Sequence, residues 1–520
     1  MPATPLSQVA VHLRPEDNVA VVARPLAAGA EVRVNGRIVT VHDRVGLGHK
    51  VALCDIRAGD AVTKYGQIIG FAGRDIAAGS HVHVHNVRAD AFERDYAFAR
   101  DCPPPPPAVE PRYFDGYDRG PERPEHLRYG ARNYVAIIST VNCSASTSKY
   151  ISERIRASGL LKDFPNVDGV VPIVHKQGCA MQYDGPDHRQ LDRTLAGFAR
   201  HPNVAAYLLI GLGCETAQAV HLIEGEGLIQ LDRTARPPTV LSIQQCGGIG
   251  KTVETGVRTI AEMLPRVNDV KRTRLPAKHI VLGTNCGGSD GNSGVTANPA
   301  LGVASDLLVA QGGTSILGET PEIYGAEHLL TRRAVSRAVG EKLVERIKWW
   351  EWYTSVFGAE INNNPSPGNK DGGLTTIYEK SLGAIAKGGS TALVDVVGYA
   401  EPVRAKGLVV MDTPGYDPVS MTGIVAGGAN VLVFTTGRGS VFGCKPAPSI
   451  KIATNTPLYQ HMEEDMDINA GVILDGTPVE EVGRQIFEEI LAVASGKRTK
   501  SETHGVGEEE FAPWQIGPTL

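Results

Sequence analysis

The sequence predicts a multidomain α/β protein: a small N-terminal β domain, a central α/β domain with a mainly parallel sheet, and a smaller C-terminal α/β domain. Three observations carry this. The first hundred residues are short β-rich runs broken by glycine turns, a run of five prolines follows (Pro103–Pro107), and beyond it strand-like runs alternate with helical stretches. A chain of 520 residues has room for about three domains at roughly 150 residues each.

In the N-terminal part, Val19–Arg24, Glu31–Val34, Arg37–Val41, Lys50–Cys54 and Gln67–Phe71 read as strands, and Asn35-Gly36 between two of them is a strong hairpin signal. The proline run favours a stiff, extended segment and marks a linker. After it, Tyr134–Thr140, Val167–Val174, Val204–Ile210 and His279–Leu282 read as strands, with helices at Ser146–Ser158 and around Ala217–Ile223. A helical stretch over Ala334–Phe357 carries Trp349, Trp350 and Trp352, read as packing residues. Strands restart at Ser390–Val397, Gly407–Met411 and Asn430–Thr435. These signals place domains at 1–100, 113–385 and 386–520, with a proline-rich linker over 101–112.

Composition excludes several classes. The net charge is −5 with no basic block, so nucleic acid is not an expected partner. No run of about 18 apolar residues is present, and Met1–Ala10 lacks a basic segment followed by an apolar one. No membrane partner and a cytoplasmic location are therefore expected. Eight cysteines are too sparse for a disulfide scaffold and read as free thiols.

Four of those cysteines, Cys143, Cys179, Cys214 and Cys286, each follow a strand of the central region. In parallel sheets the carboxyl edge is where ligand crevices form, and thiolates bind soft metals and iron–sulfur clusters. A shared metal site is the functional reading, against four small buried hydrophobes. His175, next to Cys179, reads as a ligand or a general base. His81, His83 and His85 alternate, which on a strand puts three imidazoles on one face, suited to a metal or an acidic ligand. The loop Asn364–Gly373 offers Asn369 and Lys370, and Arg438, flanked by glycines after a strand, offers a planar fork for a carboxylate. Two patterns are decoys. Gly247–Thr252 resembles a phosphate loop but has Gln245 where glycine is needed. Asp412-Thr413-Pro414-Gly415 lies too far downstream to be its partner.

These motifs resemble the altronate/galactarate dehydratase family, and the first region resembles its N-terminal SAF (β-clip) domain. The similarity lies in Gly48–Leu53, Tyr65-Gly66, His81–Asn86, Asp168–Val171 with His175 and Gly178-Cys179, Gly211–Glu215, Cys286–Asp290, Thr296–Leu301, Glu319–Glu327, Asn364–Gly373, Thr435–Ser440 and Asp467–Gly471. The triple-histidine segment and Glu319–Glu327 are more similar to the altronate branch. Lys176, Ala180 and Met181 around Cys179 depart from the small or polar residues the family would lead one to expect.

The resemblance implies removal of water from a sugar acid, altronate first and galactarate next, to give a 2-keto-3-deoxy acid. It also implies a divalent metal, Fe2+ foremost, with Mn2+ or an iron–sulfur cluster as alternatives. The expected catalytic residues are His175, His49 and Lys370. The substrate would meet His81, His83, His85, Asn369, Arg438 and Asp290, and the metal Cys143, Cys179, Cys214 and Cys286. A C–S lyase of a sulfonated hydroxy acid and a sugar-acid-binding regulator are the competing readings. The C-terminal domain is expected to be Rossmann-like. Self-association is left open by the sequence.

Overall fold

The computed structural model describes residues 3–120, 129–230 and 237–517. The N-terminal strands are short because a turn interrupts them every few residues. A four-stranded antiparallel sheet orders Ala10–Val11, Val19–Val22, Lys50–Ala52 and His81–Val82, and two three-stranded sheets flank it. Only one side of this β domain closes on itself. On the other, Val19, Ala52, Val62, Ile69 and Ala72 share a core with Leu317, Ile323, Leu330, Leu382 and Leu408 of the C-terminal region.

The chain then crosses the C-terminal region, held by Arg94–Glu327 at 2.8 Å and Arg332–Asp101 at 2.7 Å. Pro103–Pro107 form no helix or strand. Tyr113–Asp118 next pairs antiparallel with Arg272–Pro276.

Two parallel sheets follow. The smaller orders Gly169–Ile173, Tyr134–Ser139, Val204–Gly211 and Thr239–Ser242. The larger has seven strands in the order Leu393–Val397, Gly407–Met411, Thr314–Leu317, Val281–Cys286, Val431–Thr436, Ser449–Ala453, Ile468–Asn469. The inner strands are buried on both faces, as parallel strands covered by helices must be, whereas the edge strands Thr239–Ser242 and Leu393–Val397 are partly exposed. This sheet corrects two expectations. Strands from either side of residue 385 hydrogen-bond in it, so a boundary at 385/386 would cut one sheet, and the division lies between the smaller sheet and Val281–Cys286. Counted along the chain its order is 3-4-2-1-5-6-7, not the 3-2-1-4-5-6 order of a Rossmann sheet. Its reversal point, between Val281–Cys286 and Val431–Thr436, is where such sheets open a crevice.

Helices Pro186–Ala199 and Asp417–Ala426 press the two sheets together. A Cβ on Gly197 would stand 2.4 Å from the Ala426 carbonyl, so only glycine fits that contact. Trp350 is buried, donates to Asp412 at 2.9 Å and stacks on Trp514, a packing role. Asp412 also accepts from Thr320 at 2.7 Å, which makes it structural.

His201 ties the two sheets at their amino ends. Its Nε2 lies 3.0 Å from the Ala429 carbonyl, and its Nδ1 accepts from the Asn203 amide at 3.1 Å. Burial lowers its pKa to about 4. Because the folded value lies below the unfolded one, about 6.5, its contribution is full above pH 6.5 and is lost as pH falls toward 4. The expected loss is roughly 2–3 kcal/mol. Urea midpoints measured at pH 7, 5.5 and 4 should show a shallower acid decline for His201→Gln than for the wild type; equal slopes would remove His201 from the account.

Candidate active site

The seven-stranded sheet and the β domain meet over one cleft, and the join is ionic. Lys50, on the strand Lys50–Ala52, and Lys64, at the end of Ala61–Lys64, reach Glu379 at 2.8 and 3.0 Å, all three side chains being buried. Glu379 lies in the first turn of helix Ile377–Ala384, which Thr376 caps, and also accepts from the Thr375 amide and hydroxyl at 2.9 and 2.6 Å. Against the penalty of burial, the two lysines hold its carboxyl far below the usual range. Burial lowers Lys50 to about 8, with the Lys64 charge adding to the effect. Lys50 also donates to the Gly373 carbonyl at 2.6 Å.

That anchor sets His49, its neighbour in sequence, against the loop 364–373. His49 Nε2 lies 3.2 Å from the Asp371 carbonyl, and Nδ1 lies 3.0 Å from His81 Nε2. His83 stacks on His81 with ring centres 5.2 Å apart, and His85 lies 5.5 Å from His81. The expected strand through all three is shorter than the sequence suggested. It ends at Val82, and a turn held by Asn86 Oδ1 on the His83 amide brings the rings together. Burial lowers His83 to about 3 and His81 to about 4, with Lys50 repelling charge on both and His49 adding to it, and lowers His49 as well. The imidazoles are therefore neutral near pH 7, the form that binds metals. Ligand nitrogens of His49, His81 and His83 all lie within 4.8 Å of one another, and His83 Nδ1 is buried without a hydrogen-bond partner among the described residues.

Close backbone approaches build the rest of the cleft. A Cβ on Gly291 would lie 1.8 Å from the Gly48 carbonyl, and one on Gly373 2.4 Å from it. Arg438 follows the strand Val431–Thr436, and its amide donates to Gly288 at 2.8 Å. Its side chain passes Gly372, where a Cβ would stand 3.1 Å from Arg438 Cδ. Arg438 is exposed and forms no ion pair among the described residues. Lys370 lies in the short helix Pro367–Asp371, directly before the carbonyl that meets His49.

A second cluster lies at the carboxyl ends of the central strands, entirely buried. Cys286 is 2.9 Å from Lys387, Lys387 is 3.1 Å from Glu319, and Lys380 is 2.7 Å from both Glu322 and Asn364. Burial, with Glu322 adding to it, raises Glu319 to about 8. Its φ of 63° is left-handed and its Oε1 has no hydrogen-bond partner among the described residues. Cys286, Glu319 and Glu322 also fall within 4.8 Å of one another, but lysine ammoniums already occupy their ligand atoms, Lys387 at 2.9 Å from Cys286 and 3.1 Å from Glu319 and Lys380 at 2.7 Å from Glu322. The imidazole site is better suited to a cation.

Other expected site residues fall elsewhere. Cys286 belongs to the larger sheet, whereas Cys143, Cys179 and Cys214 lie in exposed loops of the smaller one, so the four share no ion. His175 is buried in that smaller domain with both ring nitrogens on the backbone, Nε2 2.9 Å from Ser139 O and Nδ1 accepting from Gln177 N at 3.1 Å. It braces a loop and has no free nitrogen for a base. Asp290 is buried and accepts from Asn292, Ser293, Thr454 and Asn455, which uses its oxygens to shape the loop. Asn369 caps helix Pro367–Asp371 and donates to Ser289 at 2.9 Å, so it too is a brace. The sequence reading missed Lys50, Lys64, Glu379, Lys380 and Lys387. Charged residues inside an otherwise apolar stretch, Tyr378-Glu379-Lys380 and Lys387, were the available signal.

Three family models cover these parts in order: the altronate/galactarate dehydratase SAF domain over residues 8–90, the D-galactarate dehydratase/altronate hydrolase second domain over 116–268, and the D-galactarate/altronate dehydratase C-terminal model over 277–519. The chain belongs to the altronate/galactarate dehydratase family. Its N-terminal β domain is the SAF domain. Within the family it is 34% identical to the altronate dehydratase of Bacillus subtilis (strain 168), across 98% of this chain and 99% of that one. It is 38% identical to the galactarate dehydratase (L-threo-forming) of Escherichia coli (strain K12), across 94% and 93%. A (2R)-sulfolactate sulfo-lyase subunit beta from Chromohalobacter salexigens is more distant, 30% identical across 77% of this chain and 96% of that one. Among the described residues no helix is long and apolar enough to cross a membrane.

Arg438→Lys keeps the charge and loses the bidentate fork. Steady-state kinetics should show kcat/KM reduced by about 1.5–3 kcal/mol, roughly 10- to 150-fold, with thermal melting unchanged because the side chain is exposed. Wild-type kinetics would remove Arg438 from the site.

Proposed function

We propose that this protein is a metal-dependent sugar-acid dehydratase, acting on altronate or, next, galactarate, and working in the cleft between the SAF domain and the seven-stranded sheet. One observation carries this reading: neutral His49, His81 and His83 from the SAF domain face a loop on which the carboxylate-binding fork of Arg438 is packed. The length over which family members match supports the same class.

The reaction removes a proton from the carbon beside a carboxylate and expels the β-hydroxyl. The α-proton is weakly acidic, so charge developing on the carboxylate must be stabilised. Arg438 orients that carboxylate, and Lys370 adds a point charge from the same loop system. A divalent ion such as Fe2+, with His49, His81 and His83 as its ligands, would supply a Lewis acid for the developing charge. His85 and Lys370, whose side chains make no hydrogen bond among the described residues, transfer the protons: His85 takes the α-proton, and the Lys370 ammonium gives a proton to the departing hydroxyl, which leaves as water. The Lys50–Glu379–Lys64 cluster holds the imidazoles in register, and buried Glu319 and Lys387 fix the floor of the strand ends.

Elimination of sulfite from a sulfonated hydroxy acid begins with the same proton abstraction, and the sulfo-lyase relative favours testing it. Keto-acid formation should be measured over a panel of hexonates, aldarates and sulfolactate, with chelator-treated and Fe2+-reloaded enzyme. The reading expects altronate or galactarate to be turned over, activity to fall at least 100-fold on chelation and to return with Fe2+, and, with no sulfide present, the wild type to bind one Fe2+ and His83→Ala none. Full activity in the metal-stripped enzyme, or in His83→Ala, would contradict it.

A further inference from the structure

The smaller parallel sheet carries a group of side chains that the proposed reaction leaves unused. Each of its four strands leads to a cysteine. Cys143 follows Tyr134–Ser139, Cys179 follows Gly169–Ile173, Cys214 follows Val204–Gly211, and Cys246 ends the short helix after Thr239–Ser242. The strands are parallel, so all four thiols lie along one edge. Cys143, Cys179 and Cys214 are exposed and Cys246 is half-buried. Free cysteine is among the most buried residue types, so three exposed thiols on adjacent strand ends are not explained by packing.

The loops bearing them are tied to one another. The Asn142 amide donates to Gln177 O at 2.9 Å, Ala217 to Gly178 O at 3.0 Å, and Gln244 to Leu212 O at 3.1 Å. Gln244 Nε2 donates to Cys214 Sγ at 3.4 Å. Beneath them the buried Glu215 accepts from Thr140 at 2.9 Å and from the Gly213 amide at 2.6 Å, a carboxylate committed to shaping the Cys214 turn. Gly178, at φ 101°, lies so close to strand Tyr134–Ser139 that a Cβ would stand 2.4 Å from Thr140 O. The edge also favours negative charge. Helix Ala145–Ser158 begins just after Cys143 and helix Ile249–Asp269 just after Cys246. Lys251 Nζ comes within 3.4 Å of a Cβ built on Gly247.

The thiols do not gather around a single ion. No three of these thiols fall within 4.8 Å of one another, whereas a single tetrahedral zinc brings its sulfurs to about 3.8 Å. A cubane iron–sulfur cluster, in which each iron takes its own thiolate, spreads the ligands wider. We propose that Cys143, Cys179 and Cys214 hold a cubane iron–sulfur cluster on this edge, three irons each taking one thiolate and the fourth facing outward. The site is separate from the SAF-domain cleft and lies on a different sheet.

The full chain, purified and kept without oxygen, is reconstituted with ferric iron, sulfide and excess dithiothreitol, which reduces part of the iron to ferrous, and read by visible absorption, iron and sulfide content, and electron paramagnetic resonance after further reduction. The wild type is expected to take up about four irons and four sulfides per chain, beyond the single iron that His49, His81 and His83 would hold. Cys143→Ser, Cys179→Ser and Cys214→Ser, and the matching Ala variants, should each lose more than three-quarters of the absorption, with melting of the cluster-free chain unchanged. Cys54→Ser, Cys102→Ser and His83→Ala should keep it. A wild type that takes up no sulfide or stays colourless, or a trio of variants that retain the spectrum, overturns the proposal.

Discussion

Two lysines and one carboxylate, Lys50, Lys64 and Glu379, are buried together where the SAF domain meets the seven-stranded sheet, and the candidate active site depends on that contact. Removing such charges from water is expensive, and only near-ideal geometry offsets the cost. Here Glu379 meets both ammoniums and two donors from Thr375, while Lys50 also finds the Gly373 carbonyl and Lys64 the Gly291 carbonyl. A displacement that an apolar interface would absorb would leave a charge unpaired in this one. The ion cluster therefore fixes position more than it adds stability, and His49, the residue next to Lys50, inherits that position.

The same constraint explains the glycines around the cleft. Three backbone segments, 46–50, 289–293 and 369–373, approach one another closely enough that Gly48, Gly291 and Gly373 leave no space for side chains. Imidazoles from one domain and the guanidinium of another can then share a small cleft. The buried groups beneath, Cys286, Glu319, Glu322, Lys380 and Lys387, add a low-dielectric floor in which charges interact strongly. The protein thus divides its labour. The SAF domain presents neutral imidazoles, the C-terminal domain presents cations and loop backbone, and the smaller sheet carries its own thiol edge.

Much of the architecture was legible in the sequence because it rests on local signals. Val19–Val22, Glu31–Val34, Tyr134–Ser139 and Gly407–Met411 carry their β character in their own residues, and Asn35-Gly36 marks its hairpin. The division of the parallel strands into two sheets was not legible. Val281–Cys286 pairs on one side with Thr314–Leu317 and on the other with Val431–Thr436, more than a hundred residues later, and nothing local to it encodes that second partner. Arg438 stands out in the sequence by its flanking glycines, and His81, His83 and His85 by their alternation. Asp290, beside Gly291, and His175, near Gly178-Cys179, offer similar local signals, yet the folded chain uses up their polar atoms within the protein. Lys50 and Glu379 are more than three hundred residues apart, and their meaning exists only after folding.

The central claim is that buried charge pairing holds the SAF domain over the catalytic cleft, and hydrogen exchange of the full-length Glu379→Gln variant tests it most directly. An amide cannot neutralise two lysines, and breaking a buried ion pair from one side costs about 3–5 kcal/mol. The account predicts that amides of Lys50–Ala52, Ala61–Lys64 and the 369–373 loop lose protection by at least tenfold, while those of Tyr134–Ser139 in the smaller sheet keep theirs. Unchanged protection across the SAF strands and the loop would contradict it.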